Sequence, residues 1–166
     1  MNIYLTGEIE LEMIPEVVKQ LDGAMFELSS EDVQIYITSN GGDAYAGLGL
    51  YDVLSKYTKL GVHINTVAIG SCSSAALLPF LAGKKRTISK NTTLTTHPMR
   101  LMNDEFEDAK SWKDKAVHLQ DMSDKMLAIF VKETNGLTVF WEDFLDTERH
   151  SDGELAVELG IATDIL

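Results

Sequence analysis

Twice in its first hundred residues the chain runs an apolar strand into a turn of small residues and then into a helix, and this repeat constrains the fold most. In the first unit 33–38 (VQIYIT) reads as a strand, Ser39-Asn40-Gly41-Gly42 as a turn needing positive φ, and 44–57 as a helix with apolar Leu48, Leu50, Tyr51 and Leu54. In the second, Val67-Ala68-Ile69 reads as the end of a buried strand and Gly70 with 71–74 as a tight turn. A helix through 75–78 follows, with Pro79 still in its first turns, where proline is tolerated. A basic loop, Lys84-Lys85-Arg86, leads to a threonine-rich strand over 91–96 that ends at His97. Strands alternating with helices predict an α/β fold.

The second unit sets a candidate nucleophile, Ser74, near a candidate base, His97. A serine at a strand-to-helix turn lies beside N–H groups that the start of a helix leaves unpaired, which suits acyl transfer. Its hydroxyl is a weak nucleophile unless a base takes its proton, and a histidine at the adjacent strand end has that role. Gly42 leaves its N–H unshielded by a side chain, so Gly42 and Ala75 can together hold an oxyanion if the two turns lie side by side. The structural alternatives are an N-cap serine, a strand-end histidine and an ordinary glycine turn.

At 166 residues the chain fits one domain, 1–166, large enough to bury a core without disulfides or metal. One cysteine, Cys72, excludes an internal disulfide and offers no metal cluster, so neither metal nor cofactor is expected. A net charge of −12 argues against nucleic acid or an anionic membrane as partner. Of the basic residues only Lys84-Lys85-Arg86 cluster, and they read as a solvated loop. No secretory signal or membrane-length apolar run is visible, which predicts a cytoplasmic protein.

IYLTGEI at 3–9, IYITSNGGDAYAGLGLYDVL, the turn at 70–77, THP and the final DGELAVELGIATDIL resemble, in order and spacing, the ClpP family of ATP-dependent serine peptidases. Nearly the whole chain is covered. The resemblance implies a ClpP/crotonase-like fold of repeated ββα units with a projecting handle helix. It also implies a serine endopeptidase with Ser74 as nucleophile, His97 as general base, and Gly42 with Ala75 as the oxyanion pair. Ser73 becomes the nucleophile on a one-residue shift, but Ser74 keeps Gly70 and the apolar helix in the family register. Asn40 replaces the family's proline and also tolerates a turn.

The third member of the triad has several candidates. Read backward from 156–160 without gaps, Asp152 takes the helix-cap position and Glu148 the acid position. Read forward through Asp146-Thr147-Glu148-Arg149, His150 falls on the acid position and Glu148 into the region that couples ring contacts to the active site. Glu148 is preferred, because an Asp152 cap is physically sensible and glutamate can serve as a triad acid. Asp152, Asp146 or a Ser-His dyad are the alternatives.

Trp112, Ala116, Leu119, Met126 and Phe130 recur at helical spacing and predict a helix from about Phe106 to about Lys132, charged on its far face, within a handle region of about 99–135. By resemblance this handle implies a homo-oligomeric ring, a heptamer or stacked tetradecamer, taking peptides or unfolded protein. After His97 the family's glycine-rich substrate strand is replaced by 99–105 (MRLMNDE), whose methionines narrow or reshape the site. The chain starts at the first core strand, without the segment that forms the family's axial loops. An AAA+ unfoldase, the family's partner, would therefore have to dock through pockets at the ring edge. Such brevity fits a phage-type member. The alternatives are a catalytically impaired ring subunit and a crotonase-fold acyl-CoA enzyme.

Overall fold

The computed structural model describes residues 1–26, 32–100 and 108–166. Five parallel strands, β1 (Asn2–Thr6), β2 (Val33–Ser39), β3 (Ile64–Ser73), β4 (Lys85–Ile88) and β7 (Asp164–Ile165), lie in that order across the sheet. Two more, β5 (Thr93–Thr96) and β6 (Arg149–Ser151), branch from it: β5 runs parallel to the far end of β3 and antiparallel to β6. Parallel neighbours need a crossover. Helices α1 (Met13–Phe26), α2 (Ala44–Lys59) and α3 (Leu77–Leu81) supply the first three.

The branch point is made by β3. Its first half, Asn65 through Ala68, pairs with β4, and Ser71 through Ser73 pair with β5. Gly70, at φ +74, separates the two halves. Its N–H donates to Thr92 Oγ1 at 2.9 Å, and that hydroxyl donates to Ala68 O at 3.2 Å. The serine-rich run read as a turn is thus strand through Ser73, because ladder bonds to β2 and β5 use backbone groups and need no apolar side chains.

A second correction concerns the basic triplet. Lys85 and Arg86 lie in β4, and Arg86 is buried rather than solvated. Its guanidinium donates to Ile161 O (2.8 Å), Gly83 O (3.2 Å), Gly160 O (2.9 Å) and Glu133 O (3.1 Å). Burial lowers its pKa, and the nearby Glu133 charge opposes that. One side chain thereby ties β4 to the C-terminal segment and to the end of the long helix.

That helix, α4 (Ala109–Thr134), is capped by Asp108, whose Oδ1 accepts from Ser111 N at 2.8 Å. The Phe106 start expected from the sequence lies outside the described residues. Only the C-terminal half reaches the core, through Met122, Met126, Ile129 and Phe130. Trp112, expected on the apolar stripe, is 52% exposed and Val117 65% exposed, so the N-terminal half projects. α5 (Thr138–Leu145) folds back on α4 with Trp141 fully buried, 5.0 Å from Phe130 between ring centroids. Trp141 Nε1 donates to Thr134 Oγ1 at 2.8 Å. α6 (Gly153–Glu158) is capped by Asp152, which accepts from Leu155 N at 2.9 Å.

The core lies between helices and sheet. Ile3 and Leu5 of β1, Ile35 and Ile37 of β2, Leu50 and Leu54 of α2 and Phe80 of α3 are essentially inaccessible. Each such side chain stabilises the fold by about 1.5–3 kcal/mol relative to exposure. No helix among the described residues is long and apolar enough to cross a membrane.

Candidate active site

Ser74 leaves β3 and opens a 3-10 turn, Ser74–Ala76, that runs into α3. Its φ is +53, a left-handed conformation rare outside glycine and costing about 1–3 kcal/mol. Such a strained strand-to-helix turn presents a nucleophile away from its strand. Ser73 is placed differently. It is buried within β3, with its Oγ 3.2 Å from Ser71 Oγ, which in turn donates to Asn40 Oδ1 at 2.7 Å.

The two glycine turns do lie side by side. A Cβ built on Gly41 would stand 2.7 Å from Ser74 Cβ and 3.2 Å from Ser74 Oγ, so a bare backbone at Gly41 (φ +108) is what allows the approach. Gly42 is pinned from the other side. Ile9 N donates to Gly41 O and Asp43 N to Ile9 O, both at 2.8 Å, and a Cβ on Gly42 would fall 2.4 Å from Ile9 O. Among the described residues neither the Gly42 N–H nor the Ala75 N–H has a hydrogen-bond partner. Both flank the contact between Gly41 and Ser74.

His97 follows the last residue of β5, so its position is set by the pairing of β5 with β3 and β6. Its Nδ1 donates to Pro98 O at 2.7 Å. A carbonyl only accepts, so in the neutral ring the proton sits on Nδ1 and Nε2 is left with its lone pair. That is the tautomer a general base needs.

Ser74, Ala75 and His97 line one small cavity of about 20 Å³, room for about one water, with apolar walls from Leu77, Met99, Met126, Phe130 and Leu145. Among the described residues no hydrogen bond joins Ser74 to His97. Catalytic hydrogen bonds are often long without substrate and tighten on binding.

Among the described residues none of the candidate acids bonds His97 Nδ1. Glu148 Oε2 accepts from Arg100 Nη2 at 2.7 Å, and Oε1 stands 3.7 Å from His150 Nε2. Arg100 holds the Glu148 carboxyl below its ordinary range, with His150 and His97 adding smaller pulls. His150 itself is engaged through Nδ1 with Thr95 Oγ1 at 2.9 Å. Asp152 serves as the cap of α6, and Asp146 as the C-cap of α5. Cys72 is no rival nucleophile, since burial pushes its thiol well up and keeps it protonated.

Three groups at the site carry little signal in the sequence. Gly41 reads locally as a turn residue, although two adjacent glycines before a helix signal a close backbone approach. Pro98 O is a backbone group and left no signal. Arg100 reads as part of an altered strand, although a cation three residues beyond the base bears on any nearby carboxylate.

Residues 1–166 match the Clp protease family. Among solved structures it is similar to a mutant ClpP1 from Listeria monocytogenes, with a TM-score of 0.83 and 22% identity over 99% of this chain and 90% of that one. At that identity the likeness speaks for the fold.

Proposed function

This chain belongs to the Clp protease family, which supports a ClpP-type peptidase, and on that premise we propose that it is a serine endopeptidase acting through an acyl-enzyme on Ser74. The observation that carries the reading is Ser74 in a left-handed turn, on the same cavity as a His97 whose Nδ1 is already a donor.

In the first half-reaction Ser74 Oγ attacks the scissile carbonyl carbon while His97 Nε2 takes the hydroxyl proton. The Gly42 and Ala75 N–H groups donate to the oxyanion that forms. Collapse breaks the C–N bond, and His97 returns its proton to the leaving amine. In the second half-reaction water attacks the ester, His97 accepts its proton, and Ser74 leaves with that proton restored. Glu148 is the acid assigned to orient His97 and stabilise its charged form.

Residues 1–166 form a single peptidase domain of a cytoplasmic homo-oligomeric ring, a heptamer or stacked tetradecamer, that takes peptides or unfolded protein. Supporting the assembly are exposed apolar side chains on the projecting half of α4, Trp112 and Val117, and around the start of α5, Leu137, Val139 and Phe140. An AAA+ unfoldase is the partner that membership of the family suggests. A second reading, a catalytically impaired ring subunit, is favoured by the Arg100–Glu148 pairing.

Hydrolysis of short fluorogenic peptides, measured with sedimentation velocity on the same samples, separates the two readings. The endopeptidase reading requires turnover that Ser74→Ala abolishes without changing the oligomer. An intact ring with no turnover would leave the second reading standing.

A further inference from the structure

In the antiparallel pair of β5 and β6 the partners are Leu94 with Ser151, Thr95 with His150 and Thr96 with Arg149. Carried one residue further, the register sets His97 opposite Glu148. Directly opposed residues of an antiparallel pair hold their Cβ atoms about 4.5–5.5 Å apart, within reach of a glutamate carboxylate and an imidazole. The end of this ladder therefore brings Glu148 toward His97. The side chains take other partners: Glu148 bonds Arg100 at 2.7 Å, and His97 Nδ1 bonds Pro98 O at 2.7 Å.

We infer that Arg100 is a positioning residue that holds Glu148 off His97, so that releasing this ion pair completes the triad and raises the reactivity of Ser74. The inference rests on the serine-peptidase reading and deepens it. Arg100 lies three residues beyond His97, so the contact competes directly for the carboxylate His97 would use. His150 is the weaker competitor, 3.7 Å from Glu148 and engaged with Thr95. The latch is a shallow one. The side chains of Arg100 and Glu148 are 61% and 47% exposed, and exposed ion pairs shift an equilibrium by only about two- to fivefold.

The test is the rate constant for labelling of Ser74 by a fluorophosphonate probe in the full chain. Arg100→Met is expected to raise it about two- to fivefold. Arg100→Lys keeps the charge and should stay near wild type. In a Glu148→Gln background Arg100→Met should give no gain, a coupling that a merely structural arginine would not produce. Arg100→Gln serves as a second neutral variant should the methionine variant misfold. A labelling rate at or below wild type in the neutral variants, or a gain that survives Glu148→Gln, overturns the inference while leaving the peptidase reading intact. A wild type that never labels sinks the peptidase reading, and this inference with it.

Discussion

Gly41→Ala probes the contact on which the site depends. The new Cβ would lie 2.7 Å from Ser74 Cβ and 3.0 Å from Ser73 O, against an optimum of about 3.5–4.0 Å between carbons. Something must give by about 1 Å, and the neighbour nearest the new methyl is the proposed nucleophile. Misplacing a reacting group by about 1 Å can cost about a hundredfold in rate. Alanine at φ +108 adds backbone strain of about 1–3 kcal/mol. In a chain of this size that lowers the melting temperature by about 2–12 °C at fixed protein concentration. The assay pairs fluorophosphonate labelling kinetics with thermal unfolding of the same preparation. The expected result is a folded protein, modestly less stable, that labels about a hundredfold more slowly. Labelling within threefold of wild type (roughly 0.7 kcal/mol) would show that the Gly41 contact does not set the position of Ser74.

Arg86→Met removes the donors to four carbonyls and should cost more than about 3 kcal/mol in denaturant unfolding; a loss under about 1 kcal/mol would return Arg86 to the solvated loop read from the sequence. Asp152→Ala should cost about 1 kcal/mol as a lost helix cap and leave Ser74 labelling unchanged, whereas a large loss of labelling in a stable protein would make Asp152 the triad acid. Because burial raises the Cys72 thiol, Ellman's reagent at mildly alkaline pH should find no reactive thiol in the native protein and one after denaturation; reaction in the native state would contradict the burial.

What was legible in the sequence was what local pattern controls. The strand at 33–38, the glycine turn after it and the helix over 44–57 follow from β-branched residues, Gly41-Gly42 and apolar spacing, and the structure extends them by only a residue or two. The end of β3 was misread because Ser71 and Ser73 carry no strand signature, and their pairing is decided by Thr93 and Thr95 on a strand twenty-two residues away. Arg86 was misread for the same kind of reason. Its burial depends on carbonyls of Glu133, Gly160 and Ile161, which no window around Lys84-Lys85-Arg86 contains. Trp112 shows the limit of periodicity, since helical spacing says which residues share a face but not how far the core extends along it. At the site, the order of motifs singled out Ser74 and His97, while the partner of Glu148 depends on rotamers and on Arg100, which no motif specified.

Whether Ser74 is the nucleophile is decided by mapping the adduct formed when the wild-type protein reacts with a fluorophosphonate, by intact mass and peptide sequencing. One adduct per chain is expected, on Ser74 and absent from Ser74→Ala. An adduct on Ser73, or no adduct on a protein whose oligomer is intact, would contradict it.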